Sequence, residues 1–110
     1  MDQTERHILD QADHAVFVLE PDPKGVPRYV ACNGYAQHHL GKSQGEILGR
    51  TAEEIFPGPP GKVVYDHHVE AICSGQARAF ETVLPYRDGR RLTRTTLTPV
   101  CDGDGRAVLR

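Results

Sequence analysis

Hydrophobic positions along the chain change their spacing twice, from strand-like runs to a helical repeat and back. Ala15-Val16-Phe17-Val18-Leu19 is a continuous apolar run stopped by Glu20-Pro21-Asp22-Pro23-Lys24-Gly25. That is the pattern of a central strand covered on both faces and ended by a turn. Arg28-Tyr29-Val30-Ala31-Cys32 predicts a second strand, paired with the first as a hairpin across the Pro/Gly loop. Upstream, Thr4 caps a short predicted helix whose Ile8, Leu9 and Ala12 lie on one side.

From Asn33 the pattern is helical. Asn33 suits an N-cap, Tyr35, Ala36 and Leu40 supply an apolar side, and Gly41 ends the segment. Two capping boxes follow, Ser43-Gln44-Gly45-Glu46 and Thr51-Ala52-Glu53-Glu54, each opening a very short helix. The longest helical pattern then runs from Gly61 to Gly75. At about 100° per residue, Val64, Tyr65, Ala71 and Ile72 share one arc, Asp66, Glu70 and Cys73 lie opposite, and His68 falls within the apolar arc. The loop Pro57-Gly58-Pro59-Pro60 bounds this helix on one side and Ser74-Gly75 on the other.

After Gly75 the strands return. Ala79 to Tyr86 is rich in β-branched and aromatic residues, and Asp88-Gly89 supplies a hairpin turn into Leu92 to Thr98. Pro85 points to an edge strand. Asp102-Gly103-Asp104-Gly105 makes a further turn, and Arg106 to Arg110 begins a fifth strand that the sequence leaves short. Two strands, a helical cluster and three strands predict an α+β fold, an antiparallel sheet with helices on one face.

Composition narrows the function classes. A chain of 110 residues, 38% apolar and 25% charged, holds one domain with one modest core. A formal charge of −2 with both signs mixed along the length lacks the basic stripe of a nucleic-acid surface. No apolar run reads as a membrane span or a signal peptide, which places the expected domain in the cytoplasm. Cys32, Cys73 and Cys101 are an odd set without metal-like spacing, in keeping with reduced thiols.

His68 is the sharpest candidate for chemistry: a neutral imidazole on an apolar helix face can hydrogen-bond a small ligand or ligate a metal. The plainer alternative is a core-edge histidine bonded to a neighbouring backbone group. His67 and the pair His38-His39 are expected to be mostly solvated, because adjacent histidines diverge by about 100° on a helix and cannot grip one metal together. No metal site and no catalytic constellation is expected: the sequence shows no nucleophile elbow or phosphate loop. An enzyme is kept only as a minor reading.

Four motifs in order, Tyr29-Val30-Ala31-Cys32-Asn33, Leu40 to Thr51 (LGKSQGEILGRT), Asp88-Gly89-Arg90-Arg91, and Pro99-Val100 with Asp102-Gly103-Asp104-Gly105, resemble the PAS sensory domain family. The resemblance implies a five-stranded antiparallel sheet of order 2-1-5-4-3, with helices enclosing a pocket on one face and the Gly61 helix as its wall. It divides the chain into an N-terminal amphipathic helix, 1–14, serving dimerisation through Ile8, Leu9 and Ala12, and a domain, 15–110, with its last strand truncated. It further implies a non-catalytic sensor input to a histidine kinase of a two-component system, a diguanylate cyclase or a transcription regulator, with a C-terminal output domain, no nucleic acid and no membrane contact. Val64, Tyr65, His68 and Ile72 are the expected ligand contacts, with His68 as polar anchor. The alternatives are a ligand-free homodimerisation and relay domain, or a haem-based gas or redox sensor using His68. Haem-binding relatives carry their histidine on this helix, one turn earlier, near Val64. The LOV branch of the family needs a reactive cysteine where this chain has Ala52, which argues against covalent flavin chemistry.

Overall fold

The computed structural model describes residues 15–100 and 106–109. The expected helix carrying Ile8, Leu9 and Ala12, the turn at 102–105 and Cys101 lie outside the described residues. The strands are β1 (Phe17–Pro21), β2 (Pro27–Cys32), β3 (Arg78–Tyr86), β4 (Gly89–Val100) and β5 (Arg106–Leu109). They pair antiparallel in the order β2-β1-β5-β4-β3. Between β2 and β3 come α1 (Gly34–Leu40), α2 (Gln44–Ile47), α3 (Ala52–Ile55) and α4 (Pro59–Ser74).

The helices cover one face of the sheet. Leu19, Tyr29, Phe80, Leu84 and Leu97 from the strands form one buried cluster with Ile47, Ala52, Ile55, Phe56, Val64 and Ala71 from the helical side. Val16, Val18 and Ala31 make a second, smaller cluster. The alternation of strand side chains explains this division, since neighbours along β1 point to opposite faces. The β1/β2 register shifts between Val18 and Leu19, so Val30 has no partner of its own and is exposed.

Local chemistry fixes the connections. Asp22 Oδ1 accepts from the Lys24 and Val26 amides at 2.8 and 3.0 Å, closing the β1–β2 turn. Arg28 donates to Asp22 Oδ2 at 2.9 Å, to the Gly49 carbonyl at 2.8 Å and to Glu54 Oε1 at 3.2 Å, joining that turn to α2 and α3. Both capping boxes form: Ser43 N–H donates to Glu46 Oε1 and Thr51 N–H to Glu54 Oε1, each at 3.0 Å. Gly41 takes the left-handed conformation that ends α1.

Several element boundaries differ from those the sequence pattern predicts. β1 begins at Phe17 and runs on through Glu20 and Pro21, which pair with Arg28 and Pro27. Gly89 stands opposite Tyr86 as the first residue of β4, so the hairpin loop is Arg87-Asp88 and not Asp88-Gly89. Pro99, just past the end of the predicted strand at Thr98, lies within β4, opposite Ala107 of β5. α4 begins at Pro59, two residues before Gly61, because a proline at the first helical positions gives up no hydrogen bond.

Gly61 decides how closely α4 can approach α3. A Cβ there would stand 1.7 Å from the Phe56 carbonyl oxygen, a distance only glycine avoids. Gly61→Ala therefore has to push the start of α4 outward, and a loss of about 2 kcal/mol or more is expected from overpacking. The midpoint of urea unfolding measures it. A variant as stable as the parent would show that this contact does not set the helix position.

Candidate functional site

Between α4 and the inner face of the sheet lies a cavity of about 410 Å³. Val64 and His68 wall it from α4, Ala15 and Phe17 from the β1 end, Tyr29 from β2 and Phe56 from the turn after α3. Leu84 and Tyr86 of β3 and residues 91–95 of β4 line its other side, and Tyr35 and Leu40 of α1 close over it. The β3/β4 register sets Thr93 opposite Thr82 and Arg91 opposite Leu84, so alternate residues of the hairpin present one face to the cavity. The Thr93 hydroxyl donates to the Thr82 carbonyl at 2.8 Å.

His68 is 2% exposed, and neither of its ring nitrogens has a hydrogen-bond partner among the described residues. The reading of His68 as bonded to a neighbouring backbone group does not hold for these residues. Its ring meets Tyr29 edge-on at 5.8 Å, and Tyr29 in turn meets Phe17 at 5.2 Å. Burial, followed by the neighbouring His67, lowers its pKa to about 4, so the imidazole is neutral near pH 7. Burial also raises the Tyr29 phenol above its ordinary range.

At the opposite end, the Arg91 guanidinium sits 5.6 Å over the Tyr86 ring and pairs with Asp88 through Nε and Nη2. The Arg87 amide donates to the His39 carbonyl at 2.9 Å, tying the end of α1 to the β3–β4 hairpin. Tyr35 packs on the His39 ring at 4.1 Å.

Of the four contacts expected from the sequence, the structure brings Val64 and His68 to the cavity wall. Tyr65 packs half-buried against the core, and Ile72 is half-buried; neither lines the cavity. Both stand one position beyond the inward row Gly61, Val64, His68 and Ala71. The expectation of a solvated His67 is also corrected: its ring stacks on Phe80 at 3.9 Å and 5°, and burial lowers its pKa. His38 is exposed and His39 half-buried. Phe17, Tyr29, Leu84 and Thr95 were not anticipated as lining residues, although the two-residue alternation of Phe80, Thr82 and Leu84 carried the signal. Cys32 is buried in the core and Cys73 exposed, neither in the cavity wall, and Ala52 is fully buried on α3. No cluster of three metal-ligating side chains occurs among the described residues.

A family model described as PAS fold matches residues 9–109. Among solved structures, the chain is similar to a LOV protein of Rhodobacter sphaeroides, with 18% identity and a TM-score of 0.77 over 99% of this chain and 66% of that one. It thus spans just under two thirds of that protein's length. The PAS domain of an HTR-like protein from Haloarcula marismortui matches with 19% identity and a TM-score of 0.72, over 96% of this chain and 85% of that one. The PAS domain of the Cronobacter turicensis RpfR quorum-sensing receptor, solved in complex with BDSF, matches with 14% identity and a TM-score of 0.69 over 90% and 91%. At these identities the likeness is one of fold. No curated protein sequence matches the chain.

The state of His68 is measurable through stability. Its pKa lies below the ordinary 6.5 in the folded protein, so between 6.5 and about 4 the unfolded chain binds a proton that the folded one does not. Its contribution is therefore fully present above pH 6.5 and is lost as the pH falls toward 4, by up to about 3 kcal/mol. His67 is lowered too and acts in the same direction. Urea unfolding of the parent and of His68→Leu across this range is expected to show a shallower pH slope in the variant. Parallel slopes would mean that His68 titrates as an ordinary exposed histidine.

Proposed function

Because the chain belongs to the PAS fold family, whose model spans residues 9–109, we propose that it is the sensory input module of a larger signalling protein and binds a small molecule between α4 and the sheet. One observation carries this reading: His68 is buried in the cavity wall with both ring nitrogens unpartnered among the described residues. A buried polar group without a partner costs about 1–3 kcal/mol, and a ligand that supplies the partner recovers that cost. The enclosing rings and aliphatic side chains give such a ligand an apolar bed. The RpfR PAS domain, a neighbour by fold, is solved with BDSF and with C12:0 in complex, which supports a small-molecule occupant here. The ligand contacts on α4 are Val64 and His68. The domain acts without catalysis, in the cytoplasm, and passes the change to an output domain. No helix among the described residues is long and apolar enough to cross a membrane.

Native mass spectrometry of the purified chain tests the pocket. Val64→Phe fills the cavity from the α4 side and is expected to abolish a bound mass carried by the parent, with the fold retained by circular dichroism. A bound mass that survives Val64→Phe would put the ligand elsewhere. The absorption spectrum is expected to be featureless above the protein band. A Soret band lost in His68→Ala would replace this reading with a haem sensor.

We further propose that residues 1–14 dimerise the chain through Ile8, Leu9 and Ala12, a stripe of helical spacing. Leu9→Glu is expected to convert a dimer into a monomer in light scattering. A parent chain that stays monomeric at high concentration would remove this role.

A further inference from the structure

The chemistry of the cavity wall restricts what kind of molecule fits it, given the pocket-binding reading on which this inference rests. The cavity wall is mostly hydrocarbon and ring faces, among them Phe17, Tyr29, Phe56, Val64 and Leu84, with uncharged hydroxyls on Tyr29, Thr93 and Thr95. None of the described lining residues carries a carboxylate. A cationic ligand entering there would lose its hydration and meet no counter-charge, which is strongly unfavourable.

An anion fares little better. Of the described lining residues only Arg91 and Arg94 are charged, and both are exposed residues of β4. Arg91 has Nε and Nη2 committed to Asp88 and its plane over Tyr86. Arg94 stands in register with Glu81 and alternates with Thr93 and Thr95, on the sheet face away from buried Leu97. An anion placed against His68 would find one neutral imidazole N–H to accept from and no buried counter-charge.

A neutral imidazole offers one N–H donor and one lone pair. Both are unmet among the described residues. A hydroxyl can answer either, donating to the bare nitrogen or accepting from the protonated one. We propose that the cavity takes an uncharged, mostly apolar organic molecule carrying one protic group, an alcohol or phenol hydroxyl, bonded to His68 at the inner end.

Four probes sharing one body separate the possibilities: para-butylphenol, para-butylanisole, para-butylbenzylamine and para-butylbenzenesulfonate, each titrated into the chain at pH 7.5 and followed by NMR of the Val64 methyl groups and by calorimetry. The phenol is expected to bind about tenfold more tightly than the anisole, which differs by the lost hydrogen-bond donor. The amine and the sulfonate are expected to bind more weakly than the anisole. In His68→Leu the phenol should lose its advantage while the anisole still binds, and His68→Gln, which keeps a donor and an acceptor, should restore part of the difference. Equal binding of phenol and anisole to the parent would overturn the hydroxyl assignment. Tightest binding by the sulfonate, with a proton taken up on binding, would replace it with a charge-paired site. Either result leaves the cavity as a ligand site. If no probe moves the Val64 signals, and Val64→Phe alters nothing, both the ligand class and the pocket-binding reading fall together.

Discussion

A single buried carbonyl oxygen, Oδ1 of Asn33, serves two backbone donors that belong to different layers of the molecule. It accepts from the amide of Val16, just before β1, at 3.1 Å and from the amide of Ala36 in α1 at 3.0 Å. The Asn33 amide returns a bond to the Val16 carbonyl, also at 3.1 Å. Both donors are buried, so an alanine at this position would leave two amides without partners, a heavier penalty than the loss of an ordinary cap. The geometry of the cavity follows from this bridge. Ala15 and Phe17 flank Val16 on the strand side, and Tyr35 and Leu40 reach the cavity from α1. The two rims cannot shift independently while Asn33 holds them.

The opposite wall has a different origin. α4 turns Gly61, Val64, His68 and Ala71 inward, a spacing of three, four and three residues that keeps one narrow row against the core. Gly61 allows that row to start in backbone contact with the turn after α3, and Gly75 ends it in a left-handed cap. α4 thus forms one wall of the cavity. At the other end α1 meets the β3–β4 hairpin through the bond from the Arg87 amide to the His39 carbonyl, beside the Arg91, Tyr86 and Asp88 contacts within the hairpin. On the proposed reading, a ligand seated on His68 touches the α4 wall, while its far end faces the exposed Arg91.

Much of this was legible in the sequence because it depends on local rules. The cap at Asn33, both capping boxes, the glycines that end α1 and α4, and the inward arc holding Val64 and His68 all follow from residue types at short spacing. Boundaries were less legible where a tertiary partner extends an element past its local signal. Glu20 and Pro21 read as a turn, yet β2 supplies Arg28 and Pro27 opposite them. The far wall of the cavity was obscured for a related reason. Along β4 the inward positions Arg91, Thr93 and Thr95 are no more apolar than the outward ones, and exposed Leu92 is the more hydrophobic neighbour. Only the pairing with Phe80, Thr82 and Leu84 reveals which face is inner. His67 failed for want of its partner: nothing near it in sequence indicates that the Phe80 ring lies flat against it.

His68 is the place where local and global preferences conflict. A leucine there would fill the same row, bury hydrocarbon beside Tyr29 and Val64, and carry no unmet polar group. The imidazole instead costs its desolvation twice over, once for each nitrogen, on a helix whose other inward residues are all small or apolar. Core stability gives no reason for that choice. A polar group buried at a net cost in the wall of a cavity is the pattern expected where a fold gives up stability for a site. On the proposed reading, the same cost makes a ligand's polar group matter more than its shape. Aromatic and aliphatic walls accept many outlines, so on the proposed reading the directional contact to His68 discriminates among them.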